Sequence, residues 1–324
     1  MGIVLALLLF FSPFHAISDE IKFVHFAPPT HPVYKSVDFF KKYIEKRSSG
    51  AIKVMNCGHR IFGDEQRKME GILKGDFQIG AITTSLLSNI ALPMAVCDLP
   101  FIWKNRISLY RLLDTYLFDR LSPYLEEKGL VLLGWCENGF RCFSSAVRPI
   151  HRPEDLSGLV VRTLNSKIYR DMYKILGAEV KILPFDEIIP SLKKGYINTV
   201  DIPLYLIFLS GLVNHIRYIT ISDWSYMGCA VVANLNWFSD LPRDLQDAIR
   251  EGIYEMQIYN RSLSMESELE NCMKAKDAGI KVNWLSEKAK EAFRSKLQPI
   301  YKEWSCLVGR EIIEKILNHK VSLP

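Results

Sequence analysis

Hydrophobic and polar positions alternate along this chain with two periods, one typical of helices and one typical of buried strands. Val33, Val37, Phe40 and Ile44 repeat at helical spacing with charged residues between them, which predicts an amphipathic helix. Short apolar runs predict strands, the clearest being IKFVHF, FQIGAIT and LVLLGWC. Because strand and helix signals alternate over residues 21–203, we predict an α/β fold with parallel strands covered by helices.

The same alternation starts again after Arg162, with a helix over 167–176 followed by the strand EVKILP. Two such series predict a two-lobed α/β fold in which the lobes are joined by secondary structure, since no Gly/Ser or Pro linker separates them. A third pattern runs helically from Pro242 to Gly279 without an internal proline. A helix of that length spans about 50 Å and should brace both lobes. The predicted lobes are residues 19–139 with 228–267, and residues 140–227 with 268–324.

The N-terminus carries an apolar run, MGIVLALLLFFSPFHAIS, that is typical of a secretory signal peptide. Ala16 and Ser18 stand in the small-x-small spacing of a cleavage site, so we predict that residues 1–18 are removed. Because Met1 and Gly2 bring no Lys or Arg, an uncleaved membrane anchor is the alternative. The best later apolar segment, at 204–213, is about half the length needed to cross a bilayer, which predicts an exported, periplasmic protein.

Composition argues against nucleic-acid binding and against a framework of disulfide bonds. The formal charge of +5 is mild, and no dense stripe of Lys and Arg interleaved with aromatics occurs, so nucleic acid is not expected as a partner. The seven cysteines form no CxxC pair, and we expect buried thiols, with a bridge between Cys136 and Cys142 as the alternative.

The common catalytic and cofactor motifs are missing. The chain has no GxxxxGK[ST], GxGxxG, HExxH or GxSxG, and its seven histidines are scattered. The acidic pairs at 64–65 and 186–187 stand at predicted helix starts, where carboxylates favour the helix dipole. We therefore expect no enzyme activity, no cofactor and no metal site.

Two arginines stand where apolar strands end. Arg162 closes the run LVVR, and Arg141 follows the strand LVLLGWC. A guanidinium binds a carboxylate through two parallel charge-assisted hydrogen bonds, which fixes both position and orientation. The alternative for Arg162 is a salt bridge within its own lobe to a neighbour such as Glu137 or Asp155.

The order of motifs resembles the DctP-type solute-binding proteins of tripartite ATP-independent periplasmic (TRAP) transporters. The resemblance extends from residue 21 to about 300. It rests on N-G-x-R at 138–141, P-x-D-L-x-G-x-x-x-R at 153–162, L-G-A from Leu176, Glu187, and L-x-x-G at 192–195. Upstream, FGDEQRKMEGILKGDFQIGAIT and DLPFIW are also in place.

The resemblance implies a two-lobed, hinged binder with a ligand cleft between the lobes and a long shared helix. It implies that Arg162 makes the main ion pair to a substrate carboxylate and that Arg141 assists. The partners it implies are a small-molecule carboxylate and the small and large membrane subunits of a TRAP transporter.

One departure from the family pattern bears on the ligand. Ile202 stands where members usually carry an asparagine that helps to hold the carboxylate, and Trp224 stands where a histidine is frequent. With Phe185 and Tyr226 added, the implied pocket is apolar and aromatic, which favours a monocarboxylate with a hydrophobic body. The alternative is that Ile202 and Trp224 only pack. The ligand is then polar and is met by water or by other polar side chains, namely His25, Thr83 and Thr84.

Three functions remain open at this point. The first is delivery of an organic acid to TRAP membrane subunits. The second is ligand sensing, in which the closed form is handed to a membrane receptor. The third is an enzyme on a similar fold, which the missing motifs disfavour.

Overall fold

The computed structural model describes residues 20–59 and 61–318. The predicted signal peptide and its cleavage after Ser18 lie outside the described residues. No helix in the described part of the chain is both long enough and apolar enough to cross a membrane.

The strands found in these residues follow the predicted apolar runs and add others. They are β1 (Glu20–His25), β2 (Lys53–Cys57), β3 (Ile79–Thr83), β4 (Leu130–Ser145), β5 (Val160–Thr163), β6 (Glu179–Ile182), β7 (Thr199–Pro203), β8 (Tyr218–Ile221), β9 (Tyr226–Asn234) and β10 (Lys281–Trp284).

The α-helices fill most of the connections. They are α1 (Pro32–Arg47), α2 (Glu65–Lys74), α3 (Thr84–Leu87), α4 (Arg106–Leu112), α5 (Phe118–Glu126), α6 (Lys167–Ile175), α7 (Ile188–Lys193), α8 (Leu204–Leu209), α9 (Leu235–Asp240), α10 (Arg243–Asp277), α11 (Glu287–Lys296), α12 (Gln298–Val308) and α13 (Arg310–Leu317). Helices α11 and α12 are separated at Leu297, next to a proline in the first turn of α12.

The sheet is mixed, which corrects the expectation of parallel strands. Its order is β2-β1-β3-β9-β4-β7-β5-β6, with β8 also paired to β4 and β10 paired to β8. The outer pairs, such as β1 with β2 and β5 with β6, are parallel. The central strands β4 and β9 run antiparallel to each other and to their neighbours.

Strand β4 connects the two lobes. Its residues up to Phe140 pair with β9, whereas Arg141–Ser145 pair with β7 and β8. This change of partner lies beside the predicted lobe boundary at residue 139, and the full lobe boundaries stay a prediction.

Helix α10 is the predicted long helix. Its 35 residues extend about 50 Å at 1.5 Å per residue. It packs on α1 and β4 in the first lobe and on α8 and β10 in the second.

Apolar side chains pack on both faces of this sheet. One cluster includes Phe23, Phe40 and Ile249 under α1 and α10, and a second includes Val200 and Ile202 in the second lobe. The largest cluster continues from the first lobe into the second beneath α6, α12 and α13. All seven cysteines are free thiols, so the alternative bridge between Cys136 and Cys142 is not formed. Six of them are buried as expected, whereas Cys306 is exposed.

Candidate functional site

A cleft of about 590 Å³ opens between the lobes. The first lobe contributes residues at the end of β3 and the start of α2, and the second contributes the segment 164–169 that follows β5. The carboxyl ends of parallel strands are the usual place for a ligand in α/β sheets. Most lining side chains are polar, namely Asp64, Glu65, Gln66, Thr83, Ser85, Ser88, Asn89, Asp98, Asn165, Ser166, Lys167 and Tyr169.

Arg162 lies on β5, two residues before the chain enters this cleft at Leu164. The residue is 4% exposed. Its Nε and Nη2 both donate to the carbonyl oxygen of Leu183, at 3.0 and 2.8 Å. Burial lowers the pKa of this guanidinium; the charge of Asp201 acts against that shift and the charge of Arg141 adds to it.

Arg162 forms no salt bridge with any carboxylate in the described residues. The two acids proposed as its partners are engaged elsewhere: Glu137 with Arg106 at 2.9 Å, and Asp155 with Arg152 at 3.5 Å. Because removing a charge from water is costly unless it is paired, the site is electrostatically incomplete. It is suited to bind an anion.

Arg141 lies in a different setting. Its Nη2 forms an ion pair with Asp201 Oδ1 at 2.8 Å and also donates to the Asp201 carbonyl oxygen. The guanidinium carbon lies 5.1 Å from the ring centre of Tyr169 and 5.7 Å from that of Trp224, within cation–π range. Burial acts to lower the pKa of Arg141, but the charge of Asp201 outweighs it, so the pKa is raised.

The partner of Arg141 is held by further donors. Asp201 is fully buried, and its Oδ2 accepts from the hydroxyls of Tyr173 at 2.7 Å and Thr163 at 2.8 Å. With both carboxylate oxygens occupied, Asp201 and Arg141 neutralise each other within the second lobe.

The two arginines leave the sheet on opposite faces. Residues directly paired in neighbouring strands share a face, and successive residues alternate. The register pairs Arg162 with Val200, and Cys142 with Ile202, so Ile202 shares a face with Arg162. Arg141 projects from the other face, on the side of α6.

The apolar residues predicted for the pocket are mostly buried in cores. Ile202 packs in the second-lobe cluster, and Trp224 and Tyr226 pack in the largest cluster. The Trp224 ring stacks on Phe143, with centroids 5.9 Å apart. Phe185 is instead 44% exposed, beyond the end of β6. None of these four residues lines the cleft described above, and their contact with a ligand stays a prediction.

The polar residues named as alternatives divide between the cleft and the interior. Thr83 lines the cleft, where its N–H and hydroxyl donate to Glu65 at 2.7 and 3.1 Å. Thr84 is buried and donates to Asp98 at 3.1 Å. His25 is buried against Asn56 at 2.6 Å, and burial lowers its pKa to about 4, so it is neutral at pH 7.

Several residues in the cleft escape the sequence reasoning. Asp98, in the first lobe, accepts from Thr84 and contacts the Tyr169 hydroxyl of the second lobe at 3.4 Å. Burial raises the pKa of Asp98 to about 7, against the lowering effect of its hydrogen bonds and of Arg141. Asp98 is the first residue of the motif DLPFIW, but no pattern in the sequence places it opposite Tyr169.

Within residues 20–59 and 61–318, no three His, Cys, Asp or Glu side chains converge in a way that could hold a metal ion.

The chain matches known proteins over nearly its whole length. Residues 23–306 match the model of the family described as bacterial extracellular solute-binding protein, family 7. A relative named as the C4-dicarboxylate-binding periplasmic protein DctP of Rhodobacter capsulatus is 26% identical over 298 residues, covering 91% of this chain and 89% of the relative.

Solved structures show the same fold. A TRAP periplasmic solute-binding protein from Ochrobactrum anthropi, with its own C-terminus bound in the ligand-binding pocket, superposes with a TM-score of 0.89 at 23% identity. The match covers 92% of this chain and 93% of the Ochrobactrum anthropi chain. The sugar acid binding protein DctPAm from Advenella mimigardefordensis, in complex with galactonate, is 26% identical with a TM-score of 0.82, and the match covers 93% and 97%.

Proposed function

Because this chain belongs to family 7 of the bacterial extracellular solute-binding proteins, we propose that it captures an organic acid in the cleft between its lobes and delivers it to the membrane subunits of a TRAP transporter. The proposal treats the protein as a binder, with Arg162 as the group that holds the ligand carboxylate.

The observation that carries the proposal is the state of Arg162. It is a buried guanidinium whose hydrogen bonds go to one backbone carbonyl and which has no carboxylate partner among the described residues. A ligand carboxylate would supply the missing charge through its two oxygens. The position of Arg162 on the strand that leads into the cleft supports this role.

The side chains that line the cleft indicate the chemistry of the ligand beyond its carboxylate. Ile202, Trp224 and Tyr226 lie in apolar cores, so they no longer argue for an aromatic ligand. Hydroxyl, amide and carboxylate side chains line the cleft instead, which supports a ligand rich in hydrogen-bonding groups. The galactonate in the similar structure is a ligand of that kind for its own protein.

Location and partners are part of the same proposal. The family is described as extracellular, and the apolar N-terminus is proposed as a signal peptide cleaved after Ser18. N-terminal sequencing of the exported protein should start at Asp19. Recovery of intact residues 1–18 in the membrane fraction would show an anchor instead.

Mass spectrometry of small molecules released from purified, denatured protein is the direct test of function. We expect an organic acid, chemically unchanged, at close to one per chain. Titration of that acid into stripped protein should then reduce the radius of gyration in small-angle scattering, because ligand contacts with both lobes favour closure. A released molecule without a carboxylate, or a chemically converted product, would count against the proposal.

A further inference from the structure

The two walls of the cleft differ in charge. The first lobe contributes three acidic side chains: Asp64, Glu65 and Asp98. The cleft lining found in the described residues contains one cation, Lys167, which lies in the second lobe. Its ammonium is already paired with Asp171 at 2.5 Å and Glu303 at 2.6 Å. No described residue that lines the first-lobe wall therefore offers a positive charge to a ligand.

The acids of this wall are held in place by their neighbours. The carboxylate of Glu65 accepts hydrogen bonds from the backbone N–H and from the hydroxyl of Thr83, at the end of β3. Asp98 accepts a hydrogen bond from the hydroxyl of Thr84 and contacts the hydroxyl of Tyr169, which belongs to the second lobe. Asp64 caps α2 by accepting from the N–H of Arg67 at 2.9 Å. Because these oxygens are fixed by backbone and hydroxyl donors, they cannot turn away from an incoming ligand.

The opposite wall is formed by residues 164–169, which directly follow the strand that carries Arg162. Arg162 has no carboxylate partner among the described residues. A ligand whose carboxylate reaches Arg162 extends its other end toward the first lobe. A second carboxylate at that end would meet the like charges of Asp64 and Glu65 in a partly desolvated cleft, where such repulsion is strong. A hydroxyl or ammonium group at the same end would donate hydrogen bonds to Asp64, Glu65 or Asp98.

We propose that the acidic first-lobe wall selects monocarboxylates whose far end carries hydrogen-bond donors and rejects dicarboxylates. This inference rests on the proposed function and names its substrate class. It separates this chain from the relative named as a C4-dicarboxylate-binding protein. Specificity here comes from a repulsive element as much as from an attractive one.

Matched pairs of acids test the inference by calorimetric titration of the full mature chain. Succinate and 4-hydroxybutyrate differ only in the far-end group, as do D-glucarate and D-gluconate. We expect the monocarboxylate of each pair to bind about tenfold more tightly or better. 4-Aminobutyrate should bind at least as well as 4-hydroxybutyrate.

Two variants assign the effect to the wall. Glu65→Gln is nearly isosteric and removes one charge, and Asp64→Asn keeps a good helix cap. Each should shrink the preference for the monocarboxylate about threefold or more. The control Glu126→Gln changes an exposed acid at the end of α5 and should leave the preference unchanged.

The outcomes separate the inference from the proposed function. A dicarboxylate that binds as tightly as its matched monocarboxylate overturns the inference while acid binding stands. A preference that survives both Glu65→Gln and Asp64→Asn also overturns it, because the wall is then not its cause. If no acid of either kind binds, the proposed function itself fails.

Discussion

Arg141 and Arg162 are both buried arginines of the second lobe, yet they lie in opposite electrostatic states. Arg141 has a carboxylate at 2.8 Å and two aromatic rings around its guanidinium. Arg162 has one backbone carbonyl and no carboxylate among the described residues. The register of β4, β5 and β7 sends them to opposite faces of the sheet.

The contrast shows how a protein can use the same side chain for two purposes. A buried ion pair whose two members satisfy each other stabilises a lobe once folded, and losing either member is costly. A buried cation left without a partner is unfavourable for the folded protein but gives an anionic ligand a prepared site. We therefore propose that Arg141 stabilises its lobe and that Arg162 binds the ligand; the role of Arg141 as a second ligand contact, implied by the family resemblance, stays a prediction. Variants that separate stability from affinity test this proposal.

The largest expected effect is that of Arg141→Met on stability. Removing the cation leaves Asp201 buried without its ion-pair partner, which should lower the free energy of unfolding by about 3 to 5 kcal/mol. Urea denaturation of the ligand-free protein measures this change. The double variant Arg141→Met, Asp201→Asn should recover part of the loss because the buried charge is then gone. A loss below about 1 kcal/mol in the single variant would break the comparison.

The second-largest effect is expected from Asp98, which should make the free energy of unfolding depend on pH. Burial raises its pKa to about 7 in the folded protein, so the folded state holds a proton that the unfolded chain releases near pH 4. Stability from this group is therefore fully present below about pH 4 and is lost progressively as pH rises toward 7. Between pH 5 and pH 8 the loss should be about 2 to 3 kcal/mol.

The variant Asp98→Asn isolates that contribution. As pH rises from 5 to 8, the variant should become more stable relative to wild type. The contributions of the other titrating groups are the same in both proteins and cancel in this comparison. A difference that is flat with pH would mean that Asp98 is ionised throughout.

A smaller effect is expected for Tyr173→Phe. The hydroxyl of Tyr173 is one of three groups that donate to the carboxylate of Asp201, together with Arg141 and Thr163. Its removal should cost about 1.5 kcal/mol of stability and leave ligand affinity unchanged. Tyr254→Phe, at an exposed position on α10, is the matched control. Weakened ligand binding in Tyr173→Phe would link the Arg141 network to the site.

Periodicity predicts much of this fold because most elements are amphipathic or apolar runs with clear ends. Helix α1, strand β3 and the long helix α10 lie where the pattern places them. The antiparallel strand β9 was not predicted, because its partners β3 and β4 are far away in sequence. For the same reason the sequence could not show that the centre of the sheet is mixed.

The site is predictable to a smaller extent. The motif around Arg162 marks a strand end, and the structure places that end beside the cleft. Asp201 could not be recognised as the partner of Arg141, since pairing depends on the register between β4 and β7. Likewise, only the packing of the cores shows that Ile202 and Trp224 lie within apolar clusters.

Ligand affinity of Arg162→Met, measured by calorimetry with the acid recovered from the native protein, tests the central claim most directly. We expect affinity to fall at least a hundredfold, about 2.7 kcal/mol, while unfolding free energy without ligand changes by about 1 kcal/mol or less. The control Arg243→Met, at an exposed position on α10, should bind like wild type. Near-wild-type affinity in Arg162→Met, or a loss of stability as large as that of Arg141→Met, would contradict the account.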